Sequence, residues 1–197
     1  ATFDPTASTG AKAVFRYGVQ AGDVGTVTPP SSGTSIVLAT GATLRDAAGH
    51  DASLVSSLPF QANGVRVDAV PPFVRTVVVA GTDAVGTAVT RILVAGDLIT
   101  FTLGINERVT VSGGTPSFTF DMGGIPNTAV FDAQSSTATT LRFSYVVQPG
   151  DVDVVGGITS GASALQLNGA TILDAANNRL TTTVPAVSSG ANAITVD

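Results

Sequence analysis

Absences define this sequence before anything present does. It has no cysteine, which excludes thiolate zinc sites, thiol catalysis and disulfide staples, and leaves the redox compartment open. It has no tryptophan and only Tyr17 and Tyr145 as tyrosines, too little for a sugar-binding platform of exposed rings. Lysine and arginine together number nine, Lys12 being the one lysine, and the net charge is −5 with a pI near 4.6. The cations are scattered, so the clustered positive charge that nucleic acid or an anionic membrane surface requires is missing. No stretch approaches the ~18–20 apolar residues of a membrane-spanning helix. No secretory leader is visible, and a chain opening on Ala1 is expected to be an internal or processed piece.

Apolar residues make up 44% of the 197-residue chain and charged residues 12%, about half the charge of an ordinary soluble domain. Thr, Ser, Asn and Gly must therefore solvate the surface. The 22 glycines and 10 prolines are dispersed as turn punctuation, not gathered into a linker.

An internal repeat organises the chain. Residues 1–55 align with 129–183 at a constant offset of 128 without a gap, and about twenty positions are identical. Ala1-Thr2-Phe3-Asp4 matches Ala129-Val130-Phe131-Asp132. Phe15, Tyr17, Val19 and Gln20 match Phe143, Tyr145, Val147 and Gln148. Gly22-Asp23-Val24 matches Gly150-Asp151-Val152, and Asp46-Ala47-Ala48 matches Asp174-Ala175-Ala176. One inserted residue later, Val67-Asp68 matches Val196-Asp197. The domain reading is 1–67 as the C-terminal part of one repeat and 68–197 as one complete repeat. One second-half segment is then in excess, and its apolar strand faces are expected to meet water unless upstream chain or a neighbouring subunit covers them.

Period-2 alternation dominates and helical periodicity is almost absent. Strands are expected at Phe73–Val79, Leu98–Leu103, Ser117–Phe120, Thr128–Asp132, Thr139–Val147, Ala164–Leu167, Thr171–Leu173 and Arg179–Val184, with Ala11–Val19 as the twin of Thr139–Val147. The fold class is all-β, about seven strands per full unit in a Greek-key sandwich. Asp174-Ala175-Ala176-Asn177-Asn178 is expected to be a turn. Gly49 occupies Asn177's place in the first copy, and both residue types accept positive φ.

The run from Val67-Asp68-Ala69-Val70-Pro71-Pro72 through Gly96-Asp97-Leu98-Ile99-Thr100-Phe101-Thr102, Glu107-Arg108-Val109-Thr110-Val111 and Gly114-Thr115-Pro116 continues to Thr140-Leu141-Arg142-Phe143-Ser144-Tyr145. It ends at Asn168-Gly169-Ala170-Thr171-Ile172 and the Asp174–Asn178 turn. This resembles the immunoglobulin-like tandem repeats of giant bacterial surface proteins, of the cyanobacterial swimming-motility and biofilm-adhesin types. The resemblance implies sandwiches in series, secreted and bound at the cell surface, with a structural or adhesive role. Its partners would be neighbouring immunoglobulin-like repeats or like subunits, with no nucleic acid and no membrane insertion in this segment. It also implies calcium near domain junctions, here Asp68 and Asp197. The alternative is a self-assembling subunit of a filament, sheath or surface layer, completed by strand exchange.

Among chemistry-bearing residues, Asp151 and Asp153 add two carboxylates to the calcium candidates, since calcium takes six to eight oxygen ligands. The first copy keeps Asp23 but has Gly25 in place of Asp153. His50 is the sole histidine, beside Asp46 and Asp51, with Ser53, Ser56 and Ser57 following. A catalytic triad needs a preorganised pocket and oxyanion donors. The second copy has Asn178 and Arg179 at the places of His50 and Asp51, so that set is no property of the repeat. Glu107 is the sole glutamate, and the sequence marks no partner for it as a hydrolytic carboxylate pair. The chain is therefore expected not to be an enzyme.

Overall fold

The computed structural model describes residues 1–28, 36–55, 64–89, 92–153, 157–187 and 194–197. The described residues are all-β, without a helix. The chain divides into two compact units, Ala1–Val70 and Pro71–Asp197.

The second unit contains β5 (Val74–Thr82), β6 (Leu98–Ile105), β7 (Thr110–Gly113), β8 (Ser117–Met122), β9 (Ile125–Thr137), β10 (Thr140–Val146), β11 (Ile158–Thr159), β12 (Leu165–Gln166) and β13 (Ala170–Leu173). These are nine strands among the described residues, where about seven were expected. The main sheet runs β11-β8-β9-β10-β6-β5, with β12 also on β8, and every pairing is antiparallel. Thirteen residues long, β9 serves two neighbours. Its first half pairs with β8, its second half with β10, and Val130 faces both Ser117 and Ser144. The sheet curls into a half-barrel.

Alternation sets the faces. In β6, Ile99, Phe101, Leu103 and Ile105 are buried and their neighbours are not; in β8, Phe118, Phe120 and Met122 are. A two-fold side-chain period sends every second residue inward. Phe101 lies 4.8 Å from Phe118 and from Phe120, and Phe118 is 5.9 Å from Phe143, ring centroid to centroid. The small sheet β7–β13 contributes Ile172 to the same buried cluster, so two layers share one core. Gly114 permits the close approach at this sheet's end: a Cβ there would run into the carbonyl of Asn168 and the backbone of Gly169 and Ala170.

Two strands of this unit escape the alternation pattern. The four residues of β7 contain only Val111 as an apolar member and run into Gly113-Gly114; β11 has two residues. Conversely, Arg179–Val184 is not a strand. It makes single bridges from Arg179 to Leu173 and from Thr181 to Phe73. The Leu180 and Thr181 amides donate to two different segments, at Ile172 O (2.9 Å) and Pro72 O (2.9 Å), so no ladder forms.

The first unit contains β1 (Thr2–Phe3), β2 (Phe15–Arg16), β3 (Val24–Thr26) and β4 (Arg66–Asp68), in two two-stranded sheets, β1-β2 and β3-β4. The expected strand Ala11–Val19 is thus reduced to Phe15–Arg16. None of the described residues of this unit is buried. Phe3 is 53% exposed, Phe15 42% and Tyr17 59%. Tyr17, matched in the repeat to the half-buried Tyr145, is thus solvent-exposed.

Candidate functional site

The repeat preserves a set of side-chain clasps, and these come first in building any site. In the second unit, Tyr145 Oη donates to Asp151 Oδ2 (2.7 Å), which also accepts the Gln148 amide (2.7 Å). Gln148 Nε2 turns back to Val146 O (2.7 Å). In the first unit, Tyr17 Oη donates to Asp23 Oδ2 (2.8 Å), the Gln20 amide does the same (2.7 Å), and Gln20 Nε2 reaches Gly18 O (2.7 Å). The local chemistry is identical, but its setting is not. Burial first, and then the hydrogen bond to Asp151, push the Tyr145 phenol up to about 12. At Tyr17 the hydrogen bond to Asp23 comes first and burial second, and the rise is smaller. The Gln20 amide, then the Tyr17 hydroxyl, hold the Asp23 carboxyl below its usual range.

A second clasp opens each copy. Asp132 Oδ1 accepts the amides of Gln134 and Ser135, and Ser136 Oγ bridges Asp132 O (2.6 Å) to the Arg142 amide (2.9 Å). In the first copy, Asp4 Oδ1 accepts Thr6 and Ala7, and Ser8 Oγ bridges Asp4 O (2.6 Å) to the Val14 amide (2.8 Å). Asp4 also pairs with Arg16 Nε.

The third clasp resolves the histidine. Asp46 Oδ1 accepts the amides of Ala48 and His50, both at 2.9 Å, and Asp46 Oδ2 lies 3.1 Å from His50 Nδ1. In the twin turn, Asp174 Oδ1 accepts Ala176 and Asn178, both at 2.8 Å, and Oδ2 accepts Asn178 Nδ2 at 2.8 Å. His50 thus stands in for a turn asparagine, its side chain 80% exposed. Asp51 is turned to Arg45 Nε (2.7 Å). Ser56 and Ser57 lie outside the described residues. Gly49 has φ 89° and Asn177 φ 68°, the left-handed values expected of both.

The calcium candidates fall in separate settings. Asp68 is exposed in β4, with its Oδ1 accepting the Val70 amide (3.2 Å). Asp151 is occupied by the tyrosine clasp. Asp153 Oδ1 accepts the Gly157 amide (2.9 Å), and its own amide donates to Val196 O (3.0 Å), which sets it beside the C-terminal residues. Asp197 donates its amide to Leu93 O (3.1 Å). Asp151, Asp153 and Asp197 do not gather their ligand oxygens within 4.8 Å as a trio.

What does gather within the second unit is a pair that sequence spacing left apart. Glu107 and Asp174 present carboxylate oxygens within 4.8 Å of each other. Asp174 is buried, at 7% exposure. Asn106 Nδ2 donates to Glu107 Oε1 (3.1 Å), and Asn106 Oδ1 accepts the Phe73 amide (2.6 Å). The pairing of Thr110 with Leu173 in β7–β13 carries the two acids together. No local signal reveals that pairing, because β7 itself lacks a strand pattern. Two hard oxygen donors side by side suit a metal ion, and nothing in the donor set singles out calcium.

In the first unit, an open depression of about 230 Å³ is lined by Tyr17, Asp23, Val24, Gly25, Thr26, Val27 and Val67. Comparison with protein-family models, with curated proteins and with solved structures finds no match to this chain.

Proposed function

We propose that this chain is a non-catalytic structural or adhesive module of a large extracellular bacterial surface protein, built of immunoglobulin-like Greek-key sandwiches in series. One observation carries the reading. What recurs at the offset of 128 is folding equipment: the tyrosine–aspartate clasp, the Asp–Ser clasp and the Asp-Ala-Ala turn, bond for bond. Residues able to do other chemistry vary between copies, His50 against Asn178 and Asp153 against Gly25. A sequence repeated for its architecture keeps the bonds that fold each unit and lets the rest drift. Calcium belongs to this reading as a stiffening cation for the oxygen donors, Asp68 and Asp197 near unit ends among them.

The test is the native polypeptide. Protease treatment of intact source cells, followed by immunodetection with an antibody to residues 68–197, is expected to remove a chain far heavier than 197 residues. A protected, intracellular band of this size would overturn the proposal. Small-angle scattering of the native chain with and without chelator tests the cation separately: an unchanged length removes calcium. The exposed strands of the first unit favour one second reading, a self-assembling filament, sheath or surface-layer subunit; polymers of a 197-residue native chain would support it instead.

A further inference from the structure

The second unit shows what covers the repeat's second half. Ala129, Phe143, Val147, Ile172 and Val196 are each at most 4% exposed. Each of them also meets a partner from residues 71–128, beside the contacts that the second half makes within itself, such as Phe143 with Phe131. The whole of β10 pairs with β6, from Thr140 with Gly104 to Val146 with Leu98. The opening residues of the second half pair with β8, Phe118 facing Ala129. The Gly96 amide reaches Val147 O (2.9 Å), and Leu93 bridges to Val196. The Phe120 ring stands edge-on to Tyr145 at 5.2 Å.

Every one of these covered positions has a counterpart in the first unit, and none of the counterparts is buried: Ala1, Phe15, Val19 and Leu44 are exposed and Val67 is half-buried. Phe15 pairs with Phe3 as Phe143 pairs with Phe131, the rings 5.7 and 5.6 Å apart. Val19 is 53% exposed where Val147 is 1%. Leu44 is 38% exposed where Ile172 is 2%. The depression of about 230 Å³ is lined by Tyr17 and Val67, the counterparts of Tyr145, which meets Phe120, and of Val196, which meets Leu93.

We infer that this apolar face of the first unit is a docking face for a first-half repeat segment, a polypeptide with the strand pattern of residues 68–128, joined in the same chain ahead of Ala1. The covering half of the second unit reaches its partner in this way. β8 turns through Gly123 and Gly124 into β9 with Met122 facing Ile125, and the second half begins four residues later. A second copy of residues 1–197 is a poorer occupant, since its own first-half segment is already engaged by residues 129–197. The inference deepens the tandem-repeat reading and rests on it.

The experiment adds a second copy of residues 68–128 in front of Ala1 of the full chain, restoring the Thr128–Ala129 type of junction. Hydrogen exchange at the Phe15 and Val19 amides is expected to slow at least about a hundredfold, and the Tyr17 titration to move from its present midpoint toward the value of about 12 found for Tyr145. Carrying Phe118→Asp and Phe120→Asp in the added copy should abolish both changes. A shorter addition, residues 115–128 alone, guards against misfolding of the long one: it should protect Phe3 and leave Val19 exchanging freely. Exchange at Phe15 and Phe3 that stays fast in both extended proteins overturns the inference. So does slow exchange at Phe15 in the unextended chain that grows with protein concentration, which would make a second copy the occupant. None of these results depends on cellular location, so the surface-protein reading can fail without disturbing them.

Discussion

Phe15 and Phe143 stand at the same position of two copies of one sequence, each facing a phenylalanine twelve residues earlier across an antiparallel pair. One is 42% exposed and the other 0%. The copies agree in three sets of short-span bonds: Asp to the amides two to four residues on, Ser8 and Ser136 back to the aspartate carbonyl, tyrosine to the aspartate six residues later. They part wherever the partner must come from residues 71–128. The lesson is a separation of tasks. Short-range hydrogen bonds fix the path of the chain. Burial supplies the larger stabilisation, at roughly 25 cal/mol per Å² of apolar surface, and among the described residues full burial is found in the second copy alone.

The largest expected effect sharpens that contrast directly. Phe143→Ala removes a ring packed among Phe118 and Phe131 and should destabilise the second unit by about 3–5 kcal/mol. Phe15→Ala removes the twin ring from a solvated face and should cost within about 0.5–1 kcal/mol. Urea unfolding of both variants, followed by far-ultraviolet circular dichroism, measures the pair. Equal losses would break the comparison, because they would mean that Phe15 has an unrecognised core of its own.

How far the sequence revealed this follows from the same division. The offset of 128, the all-β class and the inward faces of β6, β8 and β10 were legible, because alternation and repetition are written in consecutive residues. The turn roles of Gly49 and Asn177 were legible for the same reason. β7 was not: its four residues hold one apolar side chain, and it becomes a strand because β13 lies beside it. Glu107 with Asp174 was invisible as a pair for that reason too. Arg179–Val184 misled in the opposite direction, since β-branched threonines there give strand character to a segment whose amides go to two different partners. The difference in burial between Tyr17 and Tyr145 has no local signature at all.

The two tyrosines give the next effect, and with no tryptophan present their ultraviolet titration is unobscured. Tyr145 should ionise near pH 12, held protonated first by burial and then by its bond to Asp151. Tyr17 should ionise above 10 but before Tyr145, held chiefly by its bond to Asp23. The sign for stability follows from linkage. A phenol whose pKa is raised on folding binds its proton more tightly in the folded state. Its contribution is complete below the unfolded value near 10 and is lost as pH rises through about 12. Alkaline unfolding of the second unit should therefore begin above pH 10, and Tyr145→Phe should flatten that part of the profile. Coincident titration of Tyr17 and Tyr145 would show their surroundings to be alike, against the exposures that separate the copies.

The smallest effect concerns the twin turns. The Asp46 carboxyl is held below its ordinary 3.8, first by the His50 amide and then by the His50 side chain. His50→Asn installs the side chain of the second copy, whose Asn178 Nδ2 already reaches Asp174 Oδ2 at 2.8 Å. The Asp46 titration, followed by carboxyl-carbon NMR, should stay below 3.8 in this variant. In His50→Ala it should rise only partway, because the backbone donor persists. A carboxyl lowered on folding stabilises above its unfolded value, and that contribution disappears as pH falls through the lowered one. Acid sensitivity of the first unit should therefore be almost the same in all three proteins. Full return of Asp46 to 3.8 in His50→Ala would make the imidazole the support of the turn, and His50 would then be a residue that the first copy acquired for a purpose of its own.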